Sequence, residues 1–214
     1  EKTIEKLKTE FVSLAAHQLR TPLSAIKWIL STILEGDAGK VSKEQKELLE
    51  RGYKSNERMI SLINDLLNVA RIEEGRFLYN FTFQSMEEII GKVILAIEDL
   101  ARQKKVKIIF EKSRESLPKI KIDAEKIELA VQNLLDNAIS YNKEGGNVTI
   151  SVRKDKMDNI ETMIEDTGIG IPRSQQERLF NKFFRADNAV KISIEGSGLG
   201  LFIAKNIIEA HGGK

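Results

Sequence analysis

The 214-residue chain contains no cysteine. That excludes a disulfide framework and a thiolate metal site, and it fits a reducing compartment. No apolar run approaches the roughly 20 residues that a membrane-spanning helix needs. An excess of one charge is also missing: Lys and Arg total 34 against 32 for Asp and Glu, a formal net charge of +2. Binders of nucleic acid or membrane surfaces concentrate a basic excess. Here the lysines are scattered over a solvated face, so neither nucleic acid nor membrane contact is expected of this segment. The start, Glu1-Lys2-Thr3-Ile4, has no initiator Met and no signal-peptide character. It opens within a helical pattern and reads as an excised fragment. No repeat or low-complexity segment is present. With 41% hydrophobic and 31% charged residues, the chain has the composition of soluble globular domains, enough for one large or two ordinary ones.

The first third has helical periodicity. Ile4, Leu7, Phe11 and Leu14 follow alternating 3 and 4 spacing, and Leu19, Leu23, Ile26, Leu30 and Ile33 form a second series. The phase slips between Leu14 and Leu19. His17 belongs to neither series and should point outward. Gly36-Asp37-Ala38-Gly39 stops this helix. Ser42 with Gln45 is a capping box that starts the next. That helix carries Leu49, Tyr53, Asn56, Ile60, Ile63, Leu67 and Ala70, a stripe widened by Met59, Leu62, Leu66 and Val69. Two such helices cannot bury their apolar faces as a lone hairpin. Two hairpins pairing into a four-helix bundle can, which predicts a homodimer. Asn56 on the seam either fixes register or is a plain polar position.

From about Phe77 the pattern turns to mixed α and β. Phe77 to Phe83 reads as an alternating strand. Ser85 and Glu88 make a capping box for a helix to about Lys104. Val106 to Phe110 and Ile120 to Ile122 read as short strands, and Asp123 caps a helix reaching Tyr141. Asn147 to Val152 and Ile160 to Ile164 are strands joined by a turn around Asp155 and Asp158. A last helix runs from Leu199 to Ala210, and a polar, irregular stretch lies between Pro172 and Gly196. Helices on one face of a sheet follow. The expected architecture is multi-domain: an all-α antiparallel hairpin over 1–74, then an α+β sandwich over 75–214.

Chemistry concentrates in five segments. The first is His17-Gln18-Leu-Arg20-Thr21-Pro22-Leu23. Pro22 cannot donate to the Gln18 carbonyl, so the helix should bend beside His17. Thr21 lies one turn further on the same face. A neutral imidazole is a competent nucleophile near neutral pH. The others are Asn133-Leu-Leu-Asp-Asn137-Ala-Ile-Ser140-Tyr141, Asp166-Thr-Gly168-Ile-Gly170-Ile171-Pro172, Leu179-Phe180-Asn-Lys182-Phe183-Phe184-Arg185 and Gly196-Ser-Gly198-Leu199-Gly200-Leu201. Glycine amides opening a helix form an anion cradle. This one is neither a Rossmann fingerprint nor a P-loop, because no β-α-β context or Gly-Lys-Ser/Thr accompanies it.

The first segment resembles the phospho-acceptor box of sensor histidine kinases. The other four, in order, resemble the ATP site that those kinases share with type II topoisomerases, Hsp90 and MutL. The resemblance covers essentially the whole chain. It implies a dimeric phosphotransfer hairpin and an ATP-binding domain joined near Glu73 to Arg76. His17 would accept the γ-phosphoryl of ATP and pass it to an aspartate of a response-regulator receiver domain. Thr21 would position water for dephosphorylating that partner, with Arg20 matching the family. Asn133 and Asn137, one turn apart, would hold Mg²⁺. Asp166 would accept the adenine amino group, with Gly168, Gly170 and Ile171 lining the site. Tyr141 would pack near adenine, or be a core tyrosine. Gly196, Gly198, Leu199, Gly200 and Leu201 would cradle phosphate under a mobile lid. Arg185 would stabilise charge on the γ-phosphate. Two departures stand out. Gln18 replaces the usual acid and is no base. Ser140 replaces a frequent basic residue, leaving Lys143, Lys182 or Arg185 to contact phosphate. A phosphatase-dominant member is therefore an alternative. A conformational ATPase is disfavoured because Asn133 cannot activate water, and a non-enzymatic dimeric scaffold would lack nucleotide binding. The implied location is cytoplasmic, whether or not an upstream sensor or membrane segment exists.

Overall fold

The computed structural model describes residues 2–113, 115–192 and 196–214, with side chains from Val12 onward except Ser13. The seam positions Ile4, Leu7 and Phe11 therefore lie outside the described side chains. The chain divides into two compact units, Glu1–Leu78 and Tyr79–Lys214.

The first unit is an antiparallel pair of helices, α1 (Lys2–Glu35) and α2 (Lys43–Glu73). α1 runs through Pro22 as one element of 34 residues. The turn uses Gly36 and Gly39 at φ of +91° and +104°, a region that suits glycine. Both halves of the capping box form: Gln45 N donates to Ser42 Oγ at 3.2 Å, and Ser42 N donates to Gln45 Oε1 at 2.8 Å. Ala16, Leu23, Ile63 and Leu67 make the small shared core, with Ile60 against it. Register is set by cross-helix polar contacts: Arg20 Nη2 donates to Asn64 Oδ1, and Lys27 meets Glu57 at 2.7 Å. Asn56 is buried and donates from Nδ2 to the Leu23 carbonyl at 2.9 Å. The remaining apolar stripe is uncovered within the hairpin: Leu19, Ile26 and Leu48 are 52%, 44% and 66% exposed.

The second unit contains two sheets. β1 (Thr82–Gln84) pairs antiparallel with β3 (Ile120–Ile122). β2 (Lys107–Glu111) lies parallel to the central β4 (Asn147–Lys154), which pairs antiparallel with β5 (Ile160–Asp166). Against these pack α3 (Met86–Gln103), α4 (Ala124–Ser140) and α6 (Gly200–Ala210), with α4 touching both other helices. Ile90, Leu135, Ile139, Val148, Ile150, Leu199, Ile203 and Ile207 are fully buried between helices and sheet. Asp123 caps α4, accepting from Lys126 N at 3.1 Å. Ser85 Oγ accepts from Glu88 N at 3.4 Å, the serine half of the expected box.

Two expectations need correction. The strand predicted over Phe77 to Phe83 shrinks to Thr82–Gln84, because its partner offers only three residues. Upstream, Asn80 N donates instead to Asp123 Oδ2 at 2.6 Å, and the rings of Tyr79 and Phe81 pack on His211 at 5.4 and 5.0 Å. The stretch over 172–192 is more regular than its composition suggested. It contains a 3-10 turn, Arg173–Arg178, and a short helix α5, Asp187–Ile192.

Candidate functional site

On α1, His17, Gln18 and Thr21 are exposed, while Ala16 and Leu23 are buried and Arg20 is half-buried against Asn64. The periodicity of the helix explains this. The slip in the apolar series turns 17, 18 and 21 away from α2 while 16, 20 and 23 face it. An imidazole and a hydroxyl therefore stand one turn apart on a solvent-facing ridge whose backbone is anchored from beneath.

In the second unit α4 supplies the floor of the candidate site. Leu135 and Ile139 anchor it, leaving Asn133 and Asn137 half-buried on its other side. Asn133 meets the start of α6: a β-carbon at Gly200 would lie 3.1 Å from Asn133 Oδ1. The Asn133 Nδ2 is buried without a hydrogen-bond partner among the described residues. Leu199, fully buried, fixes this helix N-terminus, and Ser197 Oγ accepts from its amide at 3.2 Å. Leu201 is half-buried in the first turn of α6.

Asp166, the last residue of β5, is exposed and accepts from Gly168 N at 2.8 Å. Ile169 N donates to the Tyr141 carbonyl at 3.1 Å, which ties this loop to the end of α4. Gly168 must be glycine, since a β-carbon there would lie 2.5 Å from that same carbonyl oxygen. The carbonyls of Gly170 and Ile171 accept from Asn188 Nδ2 at 2.9 Å and Gln176 Nε2 at 3.2 Å.

Tyr141, half-buried, has its hydroxyl 3.4 Å from the donating Nη2 of Arg185. Gly196 passes over both: a β-carbon there would lie 3.0 Å from Arg185 Nε and 3.1 Å from the Tyr141 hydroxyl. Gly198, at φ +69°, accepts from Phe183 N at 3.0 Å. The Phe segment is no core, because Phe180 and Phe183 are exposed. Its rings carry cations instead: Arg178 over Phe184 at 4.6 Å and Lys205 over Phe180 at 5.3 Å. Lys182 lies 5.7 Å over the ring of Phe202 on α6. A recess of about 590 Å³ beside Phe183 is lined by Arg178, Lys182 and Arg185. Ser140 is half-buried and Lys143 exposed.

The expected residues thus gather into three contacts: Asn133 with Gly200, Gly168 with Asp166 and the Tyr141 backbone, and Arg185 with Tyr141 and Gly196. The supporting carboxamides of Gln176 and Asn188 were not foreseen from sequence. Their partners are backbone carbonyls remote in sequence, which leave no local spacing to read. His211 was likewise unforeseen: Asp123 N donates to its Nε2 at 3.0 Å, linking the end of α6 to the cap of α4.

Residues 7–75 match the family model of the His Kinase A (phospho-acceptor) domain, and residues 122–214 match that of the histidine kinase-, DNA gyrase B- and HSP90-like ATPases. The chain therefore belongs to the sensor histidine kinases of two-component systems, a phospho-acceptor hairpin followed by an ATP-binding α/β domain. It is similar to the sensor histidine kinase WalK of Bacillus subtilis, 31% identical over 218 residues, which covers 100% of this chain and 34% of WalK. It is also similar to the circadian input-output histidine kinase CikA of Synechococcus elongatus, at 30% identity over 96% of this chain and 27% of that protein. Among solved structures, the Acinetobacter baumannii histidine kinase AdeS superposes with a TM-score of 0.61 at 27% identity, covering 91% of this chain and 86% of that one. The chain spans about a third of the length of these curated relatives. Among the described residues no helix is long and apolar enough to cross a membrane.

Proposed function

We propose that His17 takes the γ-phosphoryl group of ATP and passes it to an aspartate of a response-regulator receiver domain. The carrying observation is the exposed His17 on an anchored ridge, in one chain with an ATP-binding domain. A bare imidazole nitrogen attacks the γ-phosphorus as the bond to the β-phosphate oxygen breaks, and ADP leaves. The other ring nitrogen carries its proton through the attack and gives it up to a neighbouring base or to water once the N–P bond has formed. The N–P bond formed is a high-energy one, so onward transfer to a carboxylate is favourable. Positioning supplies most of the rate in such transfers, and residues 73–76 serve as the hinge that allows it.

In this reading Asp166 accepts the adenine amino group, beside Gly168, Gly170 and Ile171, with Tyr141 packing near the ring. The amides from Gly196 to Leu201 receive the phosphates, and Lys182 and Arg185 offset their charge. Asn133 suits a cation-and-phosphate site: its Oδ1 lies so close over Gly200 that a β-carbon there would be 3.1 Å away, and its buried Nδ2 has no partner among the described residues. Asn133 and Asn137 would hold Mg²⁺, which when bound neutralises phosphate charge. Thr21 orients water for removing phosphate from the receiver, on the turn that Arg20 anchors. The uncovered stripe of Leu19, Ile26 and Leu48, which lies away from His17 and Thr21, supports a homodimer. The cytoplasm, which supplies ATP, is the compartment this chemistry requires.

Gln18 favours one second reading, a phosphatase-dominant protein, because a carboxamide cannot draw a proton from the imidazole. Incubation with γ-labelled ATP and Mg²⁺, beside His17→Ala, separates the two. Acid-labile, alkali-stable label that disappears in His17→Ala is the expected result. Absence of label despite measurable ATP binding would shift the reading to the phosphatase, with Gln18→Glu expected to restore labelling.

A further inference from the structure

Asn56 is 2% exposed and sits beside the apolar contacts of Leu23, Ile60 and Ile63. Its Nδ2 donates across the hairpin to the Leu23 carbonyl at 2.9 Å, while its Oδ1 is buried with no partner. A buried amide satisfied on one side only is worse for stability than an apolar side chain of the same shape. Leucine has nearly that shape and would suit the neighbours. Folding alone therefore does not account for asparagine here.

The location offers an account. Pro22 provides no N–H, so α1 lacks one of its own hydrogen bonds at the turn that begins at Gln18. A helix weakened at that step takes its local position from outside contacts. The next residue, Leu23, is the one Asn56 holds by its carbonyl, and two residues before Pro22 Arg20 is held by Asn64. The exposed ridge of His17, Gln18 and Thr21 thus rides on a segment of continuous helix that lacks one backbone hydrogen bond and is tied to α2 by side chains on either side of that step.

We propose that Asn56 is a positioning residue for the phospho-acceptor turn, kept at a cost in stability because it holds residues 18–24 of α1 in one arrangement. The proposal rests on the reading of His17 as the acceptor, but its first readouts do not depend on catalysis.

The test compares the wild-type chain with Asn56→Leu by thermal melting and by amide hydrogen exchange resolved over 18–24. The two readouts should move in opposite directions. The melting temperature of the hairpin should rise by a few degrees, while exchange over 18–24 should become several-fold faster. His17 labelling should fall several-fold with ATP affinity unchanged. Asn56→Ala, which adds no bulk, should reproduce the faster exchange if the leucine fails to pack. Exchange that slows in step with a higher melting temperature would overturn the proposal, as would His17 labelling at the wild-type rate in both variants. If the wild-type chain takes no label, the kinase reading falls, while the opposed exchange and melting changes still decide the role of Asn56.

Discussion

The two units solve the same problem, burying apolar side chains, in opposite ways. In the second, two small sheets and three helices enclose residues such as Leu135, Ile150 and Ile203, which have no exposed surface at all. In the first, two longer helices share a core of four residues and leave Leu19, Ile26 and Leu48 52%, 44% and 66% exposed. Length of helix is therefore no measure of a finished core. A stripe wider than one partner can cover demands more partners. The second unit encloses its core within one chain, and in the proposed homodimer a second copy would cover the stripe of the hairpin.

The sharpest way to break this comparison is dilution. The melting transition of the hairpin should fall with protein concentration, whereas the transition of the second unit should not move. Concentration-independent melting of both would contradict a bundle built from two chains. Next in size is Leu135→Ala. Deleting a fully buried side chain costs about 2–5 kcal/mol, so the second unit should melt earlier and lose ATP affinity, with the helical signal of the first unchanged. The smallest effect is an acid response common to both units. The Glu44 carboxyl is held below the usual range by its own backbone N–H at the start of α2 and by the Ser42 hydroxyl. That of Asp155 is held low by Asn159 and Met157 in the β4–β5 turn. A lowered folded pKa contributes stability that is complete above the ordinary carboxyl pKa of about 4 and lost as pH falls through the lower value. Glu44 is exposed and Asp155 lies in a surface turn, so Glu44→Gln and Asp155→Asn should each slightly flatten the acid limb of the unit that contains it, measured by melting from pH 5 to pH 2.

Local signals in the sequence were reliable wherever the physics was local. Ser42 with Gln45, Asp123 with Lys126 and the glycines of the α1–α2 turn fix backbone within a few residues, and their spacing is visible. The motif residues on α4 and at the start of α6 were legible for the same reason, because each motif lies on one element. What sequence did not reveal depends on contacts between distant segments. The alternation of Phe77, Tyr79 and Phe81 imitates a strand, yet the rings of Tyr79 and Phe81 pack on His211, over a hundred residues away. Arg20 and Asn64, or Asn188 and the Gly170 carbonyl, likewise meet only after the chain has folded.

His211 has a consequence for the chemistry of the molecule as a whole. Its Nε2 accepts from Asp123 N, so its Nδ1 carries the proton and donates to the Ile207 carbonyl at 2.7 Å. Both nitrogens are committed, and the chain has only two histidines. Toward any electrophile seeking an imidazole, this protein presents a single address. That address is His17, and the fold secures it by occupying the other ring rather than by shielding it.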